Sequence, residues 1–180
     1  MSRIGQKPIT LPTGITATIA GTAVTVKGKG GQLQQTFDSS LTIKLENNII
    51  TVGRKEDNKR GRELHGLTRA LIQNMIIGVE KGYREEMDVV GVGWNAKMKG
   101  KQISLQVGYC HTVEVDVPDG VKVELPTPQK IIMSGISKQM VGELAAQLHA
   151  IRPPEPYKGK GLRYTGEHII QKVGKSQVGK

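Results

Sequence analysis

Residues 131–151 read Ile131-Ile-Met-Ser-Gly-Ile-Ser-Lys-Gln-Met-Val-Gly-Glu-Leu-Ala-Ala-Gln-Leu-His-Ala-Ile151. The opening Ile131-Ile-Met133 is a short apolar run, which indicates a buried strand. The apolar residues that follow recur at three- and four-residue spacing and share one helix face: Met140, Val141, Leu144, Ala145, Leu148 and Ile151. Pro153 cannot continue this helix, because its ring fixes the backbone angle and removes an N–H donor. The stretch therefore predicts a strand and then a helix that ends before Pro153.

The same order of strand and helix occurs earlier in the chain. Ile50-Thr-Val-Gly53 parallels Ile132-Met-Ser-Gly135, and Gly61-Arg-Glu-Leu64 parallels Gly142-Glu-Leu144 with one insertion. The earlier helix is predicted from an apolar stripe of its own, formed by Leu64, Leu67, Leu71 and Met75 with Ile72 and Ile76 alongside. The offset of roughly 80 residues is too long for the usual solenoid periods. The parallels indicate an internal duplication.

The remaining segments favour short antiparallel strands. Leu41-Thr-Ile-Lys-Leu45 and Val113-Glu-Val-Asp-Val117 alternate apolar and polar residues, and Gly28-Lys-Gly-Gly31 is typical of a hairpin turn. We therefore predict an α+β fold of two tandem duplicated domains, each a small, mainly antiparallel sheet packed by one helix, plus a basic C-terminal extension. The predicted domains are residues 1–82 and 83–152, and the basic Pro/Gly-rich loop and tail of residues 153–180 belong to the second domain.

The first helix carries many cations near its start. Asp57 or Asn58 is a candidate N-cap, and Gly82 a candidate stop. The first turns are predicted to carry Arg54, Lys55, Lys59, Arg60, Arg62 and Arg69. This cluster is either a second anion-binding face or a solvated face with Glu56, Asp57 and Glu63 as local partners. His65 on the same helix is expected to be a structural hydrogen-bonding residue.

Charge narrows the class of partner. The 180-residue chain has a formal net charge of +10, which implies an anionic partner, either nucleic acid or an acidic membrane surface. Residues 83–150 carry 7 Lys and Arg against 8 Asp and Glu, whereas residues 151–180 carry 7 against 2. The excess charge at the C-terminus is therefore a patch and not an evenly spread aid to solubility.

The basic patch begins with Arg152-Pro-Pro-Glu-Pro-Tyr-Lys-Gly-Lys-Gly-Leu-Arg-Tyr164. Lysines and arginines supply cations, glycines allow close backbone approach, and tyrosines supply flat faces and hydroxyls. These are the properties of a loop that contacts a phosphate backbone, and the alternative is a solvated basic tail. The candidate nucleic-acid contacts are Arg152, Tyr157, Lys158, Gly159, Lys160, Gly161, Arg163 and Tyr164, with Lys172 and Lys175 as weaker candidates in the tail.

The sequence does not match the enzyme and metal-binding signatures with which it was compared. Gly174-Lys175-Ser176 resembles the end of a phosphate-binding loop, but Ile169 stands where that loop requires glycine. The four histidines lack ligand spacing with one another or with Cys110, so no metal, cofactor or catalytic residue is predicted. Cys110 and His111 are expected on opposite faces of a strand, which disfavours a thiolate–imidazole pair.

The sequence also bears on location. The apolar runs are too short to span a bilayer, no apolar signal-peptide core opens the chain, and one cysteine fits a reducing cytoplasm. Two rival classes remain. A peripheral membrane protein would need a basic amphipathic helix, which does not follow Tyr164. A nucleotide-handling enzyme would need the missing phosphate loop and acidic residues.

The segment Arg152–Tyr164 resembles the signature of the bacterial-type large-subunit ribosomal protein six family. The similarity covers essentially the whole chain, through Ser2-Arg-Ile-Gly-Gln-Lys-Pro-Ile9, Leu64-His-Gly-Leu-Thr-Arg69 and Val90-Gly-Val-Gly-Trp-Asn-Ala96. The family usually has Tyr at the position of Trp94 and Arg at that of Asn95. Because Asn95 lacks the charge, no RNA contact is carried over to it.

The resemblance implies a non-enzymatic structural protein of the cytoplasmic ribosome. Its expected partners are large-subunit rRNA, bound chiefly by the second domain and tail, and neighbouring large-subunit ribosomal proteins, with no membrane and no small-molecule substrate. Its expected place is near the stalk base, the factor-binding region and the sarcin–ricin loop. The implied RNA contacts fall on Tyr157, Lys158, Gly159, Lys160, Gly161 and Arg163. Weaker candidates are Lys97, Lys99 and Lys101, on a predicted loop of the same domain.

Overall fold

The computed structural model describes residues 3–56 and 58–175. These residues divide into two compact units. The first contains the described residues up to Tyr83 together with the short segment Ile136–Lys138, and the second contains Arg84–Gly135 and the residues from Gln139 onward. The division falls one residue beyond the boundary expected at Gly82.

The first unit has two three-stranded antiparallel sheets and one helix. Its elements are β1 (Ile9–Thr10), β2 (Thr16–Ala20), β3 (Ala23–Gly28), β4 (Gly31–Thr36), β5 (Leu41–Glu46), β6 (Ile49–Arg54) and α1 (Lys59–Glu80). One sheet has the order β1-β6-β5 and the other the order β2-β3-β4. The predicted turn at Gly28–Gly31 is confirmed, since Gly28 pairs with Gly31 at the end of the β3–β4 hairpin.

The second unit repeats this arrangement with one strand added. Its elements are β7 (Tyr83–Val90, which begins at the boundary), β8 (Asn95–Lys99), β9 (Gln102–Gln106), β10 (Val113–Asp116), β11 (Val121–Thr127), β12 (Lys130–Gly135), α2 (Lys138–Ile151) and β13 (Gly161–Tyr164). The sheets have the orders β10-β9-β8 and β11-β12-β7-β13. Strands β7, β11 and β12 thus correspond to β1, β5 and β6, and each helix follows the third of these strands.

This correspondence confirms the duplicated α+β fold. Along the sequence, strand alternation shows where each strand lies but not which strands share a sheet. The division of each repeat into a three-strand meander and a second sheet was therefore visible only in the structure. The helix α2 ends at Ile151, directly before the proline segment, as its sequence predicts.

The buried face of α1 differs from the predicted stripe. The buried side chains include His65, Thr68, Ile72 and Val79, whereas Leu67 is 52% exposed. His65 is confirmed as structural: its ring is buried, and Nε2 lies 2.8 Å from the carbonyl oxygen of Val52 on β6. The leucines dominated the sequence pattern, but the helix turns His65 and Thr68 inward. The hydrogen bond of His65 Nε2 to the sheet offsets part of the cost of burying the imidazole, whose Nδ1 has no hydrogen-bond partner among the described residues.

The ends of α1 follow capping chemistry. Asn58 is the N-cap, and its Oδ1 accepts a hydrogen bond of 2.6 Å from the Gly61 amide. Asp57, the other candidate, lies outside the described residues. Gly82 adopts a left-handed φ of 75° after the helix, and its amide donates to the Gly78 carbonyl. Arg54 and Lys55 were expected on the first turns, but Arg54 ends β6 and Lys55 lies in the connection before the helix.

Candidate nucleic-acid interface

The basic segment after α2 is an ordered loop closed at two levels. At its base the Leu162 amide donates to the Arg152 carbonyl (2.8 Å), and nearer the tip the Glu155 amide donates to the Lys160 carbonyl (2.9 Å). The Gly159 amide donates back to Glu155, which closes the turn. Tyr157 and Lys158 therefore stand at the tip, on a backbone whose shape is fixed by hydrogen bonds.

The returning chain packs against this loop. The Lys172 amide donates to the Pro156 carbonyl at 2.7 Å. A Cβ added to Gly159 would lie 3.7 Å from Gln171 Nε2 and 3.9 Å from Ile169 Cδ1, so both side chains cover this glycine. Residues 169–172 thus hold the loop from one side and bring Lys172 next to its tip.

The two glycines of the motif act inside the protein. Both are buried. Gly159 has a left-handed φ of 66°, and a Cβ on Gly161 would lie 2.5 Å from Pro154 Cα. Glycine is needed at Gly161 because the proline segment and the returning strand come too close for a side chain. The close approach expected at these positions is therefore made to the loop's own backbone.

The end of the motif is a strand, where the sequence suggested a continuing loop. Gly161–Tyr164 forms β13, which pairs antiparallel with β7, with Leu162 opposite Val89 and Arg163 opposite Asp88. Leu162 is fully buried. The alternation of Leu162 and Tyr164 is a period-2 signal, but four residues among lysines and glycines are too short for pattern reasoning to detect. The loop is thus anchored in the sheet on this side.

Arg152 is held between two aromatic rings. Its guanidinium carbon lies 5.7 Å from the centroid of Trp94 and 5.1 Å from that of Tyr109. The Tyr109 hydroxyl donates to the Ile151 carbonyl at 2.8 Å, and Trp94 packs over Gly91 and Gly108, where added Cβ atoms would meet its indole. These cation–π contacts fix the direction in which the chain leaves α2.

Tyr164 is also engaged within the protein. Its ring stacks on His149 of α2 with centroids 5.4 Å apart, and its amide donates to Glu167 Oε2. His149 Nε2 lies 3.7 Å from Glu167 Oε1, within ion-pair range but too far for a hydrogen bond. Burial raises the pKa of Tyr164 above its ordinary value, with the Glu85 and Glu167 carboxylates acting in the same direction. Tyr164 therefore ties β13 to α2, and Tyr157 is the more accessible ring.

The cations of the loop are left without acidic partners. Tyr157 is 58% exposed, Lys158 and Lys172 are exposed, and Lys160 and Arg163 are half-buried. Within residues 3–56 and 58–175, Lys158, Lys160, Arg163, Lys172 and Lys175 form no ion pair with a carboxylate. Such a group can neutralise phosphates without first breaking a protein contact.

The lysines of the second unit's hairpin behave differently. The predicted loop at residues 97–101 is strand β8 followed by a tight turn, in which Gly100 has a left-handed φ of 62°. Lys99 Nζ lies 2.7 Å from Glu114 Oε1, and Lys101 Nζ lies 3.0 Å from Asp119 Oδ1. Lys97 is exposed on β8. An approaching phosphate would meet the Glu114 and Asp119 carboxylates at this hairpin, which disfavours Lys99 and Lys101 as contacts.

The remaining reactive and metal-ligating residues do not form a catalytic or metal site among the described residues. Cys110 and His111 were expected on opposite faces of a strand, but they lie in the irregular connection between β9 and β10, and Sγ is 3.6 Å from His111 Nδ1. Both are exposed, and the described residues contain no group of three His, Cys, Asp or Glu able to hold a metal. Among these residues no helix has the length and apolar character needed to cross a bilayer.

The side chain of Asn95 is engaged within the sheet. Asn95 Nδ2 donates to Gln106 Oε1 on the neighbouring strand.

Comparison with protein families gives one match that covers both repeats. The model of a family described as "Ribosomal protein L6" matches residues 11–82 and 90–165. The first matched segment lies in the first repeat, and the second segment runs from the end of β7 through β13. The match therefore includes the loop and the strand that anchors it.

Curated proteins match over nearly the full chain. Large ribosomal subunit protein uL6 of Listeria monocytogenes serotype 4a is 50% identical over 176 residues, covering 98% of this chain and 99% of that protein. The uL6 protein of Moorella thermoacetica is 48% identical, over 98% of this chain and 96% of its own length. That of Halalkalibacterium halodurans is 46% identical, with 98% and 99% covered.

Proposed function

The chain belongs to the ribosomal protein L6 family, and from this membership we propose that it is a structural component of the large ribosomal subunit that binds large-subunit rRNA of the 23S type. Its role in translation is one of assembly and support, since proteins of this family are not enzymes. The proposed location is the ribosome in the cytoplasm, beside neighbouring large-subunit proteins, near the stalk base, the factor-binding region and the sarcin–ricin loop.

The observation that carries the proposal is the closed loop with its unpaired cations. Lys158 and Lys160 are held on a backbone fixed by three hydrogen bonds and form no ion pair with a carboxylate of the described residues. Little conformational entropy is lost when such a preformed loop docks, so more of the phosphate attraction appears as affinity. A solvated basic tail would not be closed on itself or anchored by a buried leucine.

The residues of the motif divide into two proposed roles. Lys158, Lys160 and Arg163 neutralise phosphates, with Lys172 and Lys175 extending the surface, and exposed Tyr157 stacks on an unpaired base or packs on a ribose. The other four shape the loop: Arg152 through its aromatic contacts, Gly159 and Gly161 through backbone packing, and Tyr164 through His149. On the hairpin, exposed Lys97 is the better-placed candidate.

Hydroxyl-radical footprinting of deproteinised bacterial large-subunit rRNA tests both the activity and the place. We expect the protein to protect nucleotides of the sarcin–ricin stem-loop and the stalk base, and the Lys158→Gln/Lys160→Gln variant to lose that protection at equal concentration. Protection confined to other regions would contradict the proposed place. An absence of protection by a folded protein would contradict rRNA binding.

A further inference from the structure

The first repeat carries a charge excess that the proposed contact surface does not use. Residues 1–82 contain 12 Lys and Arg against 6 Asp and Glu, a larger excess than that of residues 151–180. Many of these cations are scattered over the strands. Those near the N-terminus, by contrast, are brought together by specific packing against α1.

The segment before β1 is held on α1 at two points. Gly5 is buried against the His65 ring, where an added Cβ would lie 2.5 Å from Nδ1. Arg69 Nε donates a hydrogen bond of 3.3 Å to the Lys7 carbonyl. The Lys7 amide in turn donates to the Ile4 carbonyl, which folds the segment into a turn. Residues 3–8, the N-terminal turn, therefore have a defined position beside the middle of α1.

The N-terminal turn and α1 together present cations from two elements. Arg3 and Lys7 are exposed on the turn, and Arg69 is half-buried on the helix. Nε of Arg69 is taken by the Lys7 carbonyl, so its terminal guanidinium nitrogens are the donors that remain for a bidentate contact with an oxyanion. No carboxylate of the described residues pairs with these three cations. By contrast, Arg60 of the same helix is paired with Asp38 at 3.1 Å.

The helix positions three and four residues from Arg69 carry no carboxylate. Positions three and four apart on a helix share a face, so Arg69 is flanked by Gly66 and Gln73, with Arg62 two turns earlier. Gly66 has no side chain to hold a ligand away from the helix. On this face of the helix, a phosphate approaching Arg69 therefore has small or neutral side chains beside it.

We infer that the N-terminal turn and this side of α1 form a second contact for structured RNA, which binds its phosphate backbone through Arg3, Lys7 and Arg69. The identity of that RNA as large-subunit rRNA rests on the proposed function. Phosphate contacts are made chiefly by Arg and Lys, whereas the cores of protein interfaces are depleted in Lys. A pre-positioned arginine, with a lysine and a second arginine on an adjoining turn, is therefore more typical of a phosphate contact than of the core of a protein interface.

The test compares two double variants of the full-length protein that remove the same charge. Lys7→Gln/Arg69→Gln removes two proposed phosphate contacts, and Lys27→Gln/Lys29→Gln removes two exposed lysines from the β3–β4 hairpin of the same unit. Affinity for deproteinised bacterial large-subunit rRNA is measured across a salt series. We expect the slope of log K against log salt to become shallower by about 1.4 to 1.8 units in the first variant and to stay unchanged in the second.

Single variants separate a lost contact from a lost fold. Lys7→Gln leaves its backbone carbonyl in place for Arg69, and should produce about half of the slope change with an unchanged circular dichroism spectrum. Arg69→Lys keeps the charge and should retain most of the slope. If Lys7→Gln and the double variant leave slope and affinity unchanged, the inference is overturned, and the face is open to an acidic neighbouring protein.

A different result would contradict the proposed role of the loop, so the two proposals can be tested separately. Lys158→Gln/Lys160→Gln is measured on the same RNA in the same salt series. If that variant binds like the unmodified protein while Lys7→Gln/Arg69→Gln binds more weakly, the loop assignment is wrong and the second contact stands. If the loop variant is weakened while the Lys7/Arg69 variant and its hairpin control have equal slopes, the loop assignment stands and the second contact is wrong.

Discussion

The two repeats share one order of strands and helix but differ at one sheet edge. In the second repeat, β13 pairs with β7 and carries the basic loop back to the sheet. In the first repeat, β1 is the counterpart of β7 and is only two residues long. The N-terminal turn that precedes it lies on α1 through Gly5 and Arg69. Each repeat thus carries its own basic surface, and each surface includes chain outside the duplicated elements: the loop before β13 in the second repeat and the N-terminal turn in the first.

The comparison also separates residues that resemble each other in sequence. Leu67 lies in an apolar stripe and is half exposed, while Leu162 lies in a basic motif and is fully buried. Apolar character alone therefore did not identify the core. Burial also depends on which way the local backbone faces: Leu162 lies on β13 within the sheet, whereas Leu67 lies on the exposed side of α1.

The largest effect is expected at the strand that only the second repeat has. Leu162→Ala removes a fully buried side chain of β13, and should lower the free energy of unfolding by about 2 to 5 kcal/mol. Urea unfolding followed by the fluorescence of Trp94, the chain's single tryptophan, reports on the second unit.

Leu67→Ala is the matched control for that variant. Its side chain is 52% exposed and alanine favours helix, so we expect a change within about 1 kcal/mol. A Leu162→Ala effect no larger than that of Leu67→Ala would show that β13 is not an integral strand, and would remove the main difference between the repeats.

A smaller effect on stability should distinguish Gly61 and Gly142, the two glycines that the sequence parallel between the repeats places near the helix starts. On α2, a Cβ added to Gly142 meets no atom within 4 Å, so Gly142→Ala should stabilise the second unit by about 0.5 to 1 kcal/mol through helix propensity. On α1, a Cβ added to Gly61 would lie 2.8 Å from the Glu56 carbonyl oxygen and 3.0 Å from Asn58 Oδ1. Gly61→Ala should therefore disturb the N-cap and destabilise the protein.

Thermal denaturation of both variants, followed by circular dichroism, measures this difference. The sequence parallel predicts the same sign for both substitutions, whereas the structure predicts opposite signs. Equal shifts of the melting temperature would mean that the helix starts are alike and that the capping contact of Asn58 does not constrain Gly61.

The smallest effect concerns acid stability of the sheet that bears β13. Glu86 on β7 lies 2.6 Å from Lys130 Nζ on β12 and 2.7 Å from Arg84 Nη2, and the hydrogen bond from Lys130 in particular holds the pKa of Glu86 below its ordinary value. A lowered folded-state pKa adds stability above the unfolded pKa of about 4.3, and this stability is lost as pH falls through the folded value. The first repeat's β1, Ile9–Thr10, has no ionisable side chain.

Glu86→Gln should accordingly reduce stability modestly at neutral pH and leave it unchanged in strong acid. Denaturant midpoints measured from about pH 3 to pH 7 should therefore diverge from those of the unmodified protein as the pH rises. Curves that run parallel over the whole range would show that the ion pair with Lys130 contributes no pH-dependent stability.

Sequence reasoning was most successful where a pattern is long. The two helices, the alternating strands and the duplication are visible because apolar spacing repeats over many residues, and the Asn58 cap and the Gly82 stop follow from local chemistry. It did not reveal β13, because four residues among glycines and lysines are too few to show an alternating pattern. It also placed His65 correctly as structural while misplacing Leu67, since hydrophobicity alone does not register the hydrogen bond that His65 makes to the Val52 carbonyl.

The candidate site was predictable as a segment but not as a set of roles. Charge counting singled out residues 151–180, and the motif named the residues within them. Contacts between distant positions then sorted those residues: Arg152 packs on Trp94, Gly161 on Pro154, and Lys99 pairs with Glu114. These contacts depend on how the chain folds back on itself, so no periodic pattern of the sequence shows them.

RNA binding by the closed loop is tested most directly by the salt dependence of two lysine-pair variants of the second unit. Lys158→Gln/Lys160→Gln removes unpaired cations from the closed loop, and Lys99→Gln/Lys101→Gln removes the same charge from cations already paired with Glu114 and Asp119. For deproteinised large-subunit rRNA, we predict a slope of log K against log salt that is shallower by about 1.4 to 1.8 units for the loop pair and unchanged for the hairpin pair. An unchanged slope for the loop pair, in a protein that still binds, would contradict the proposed role of the loop.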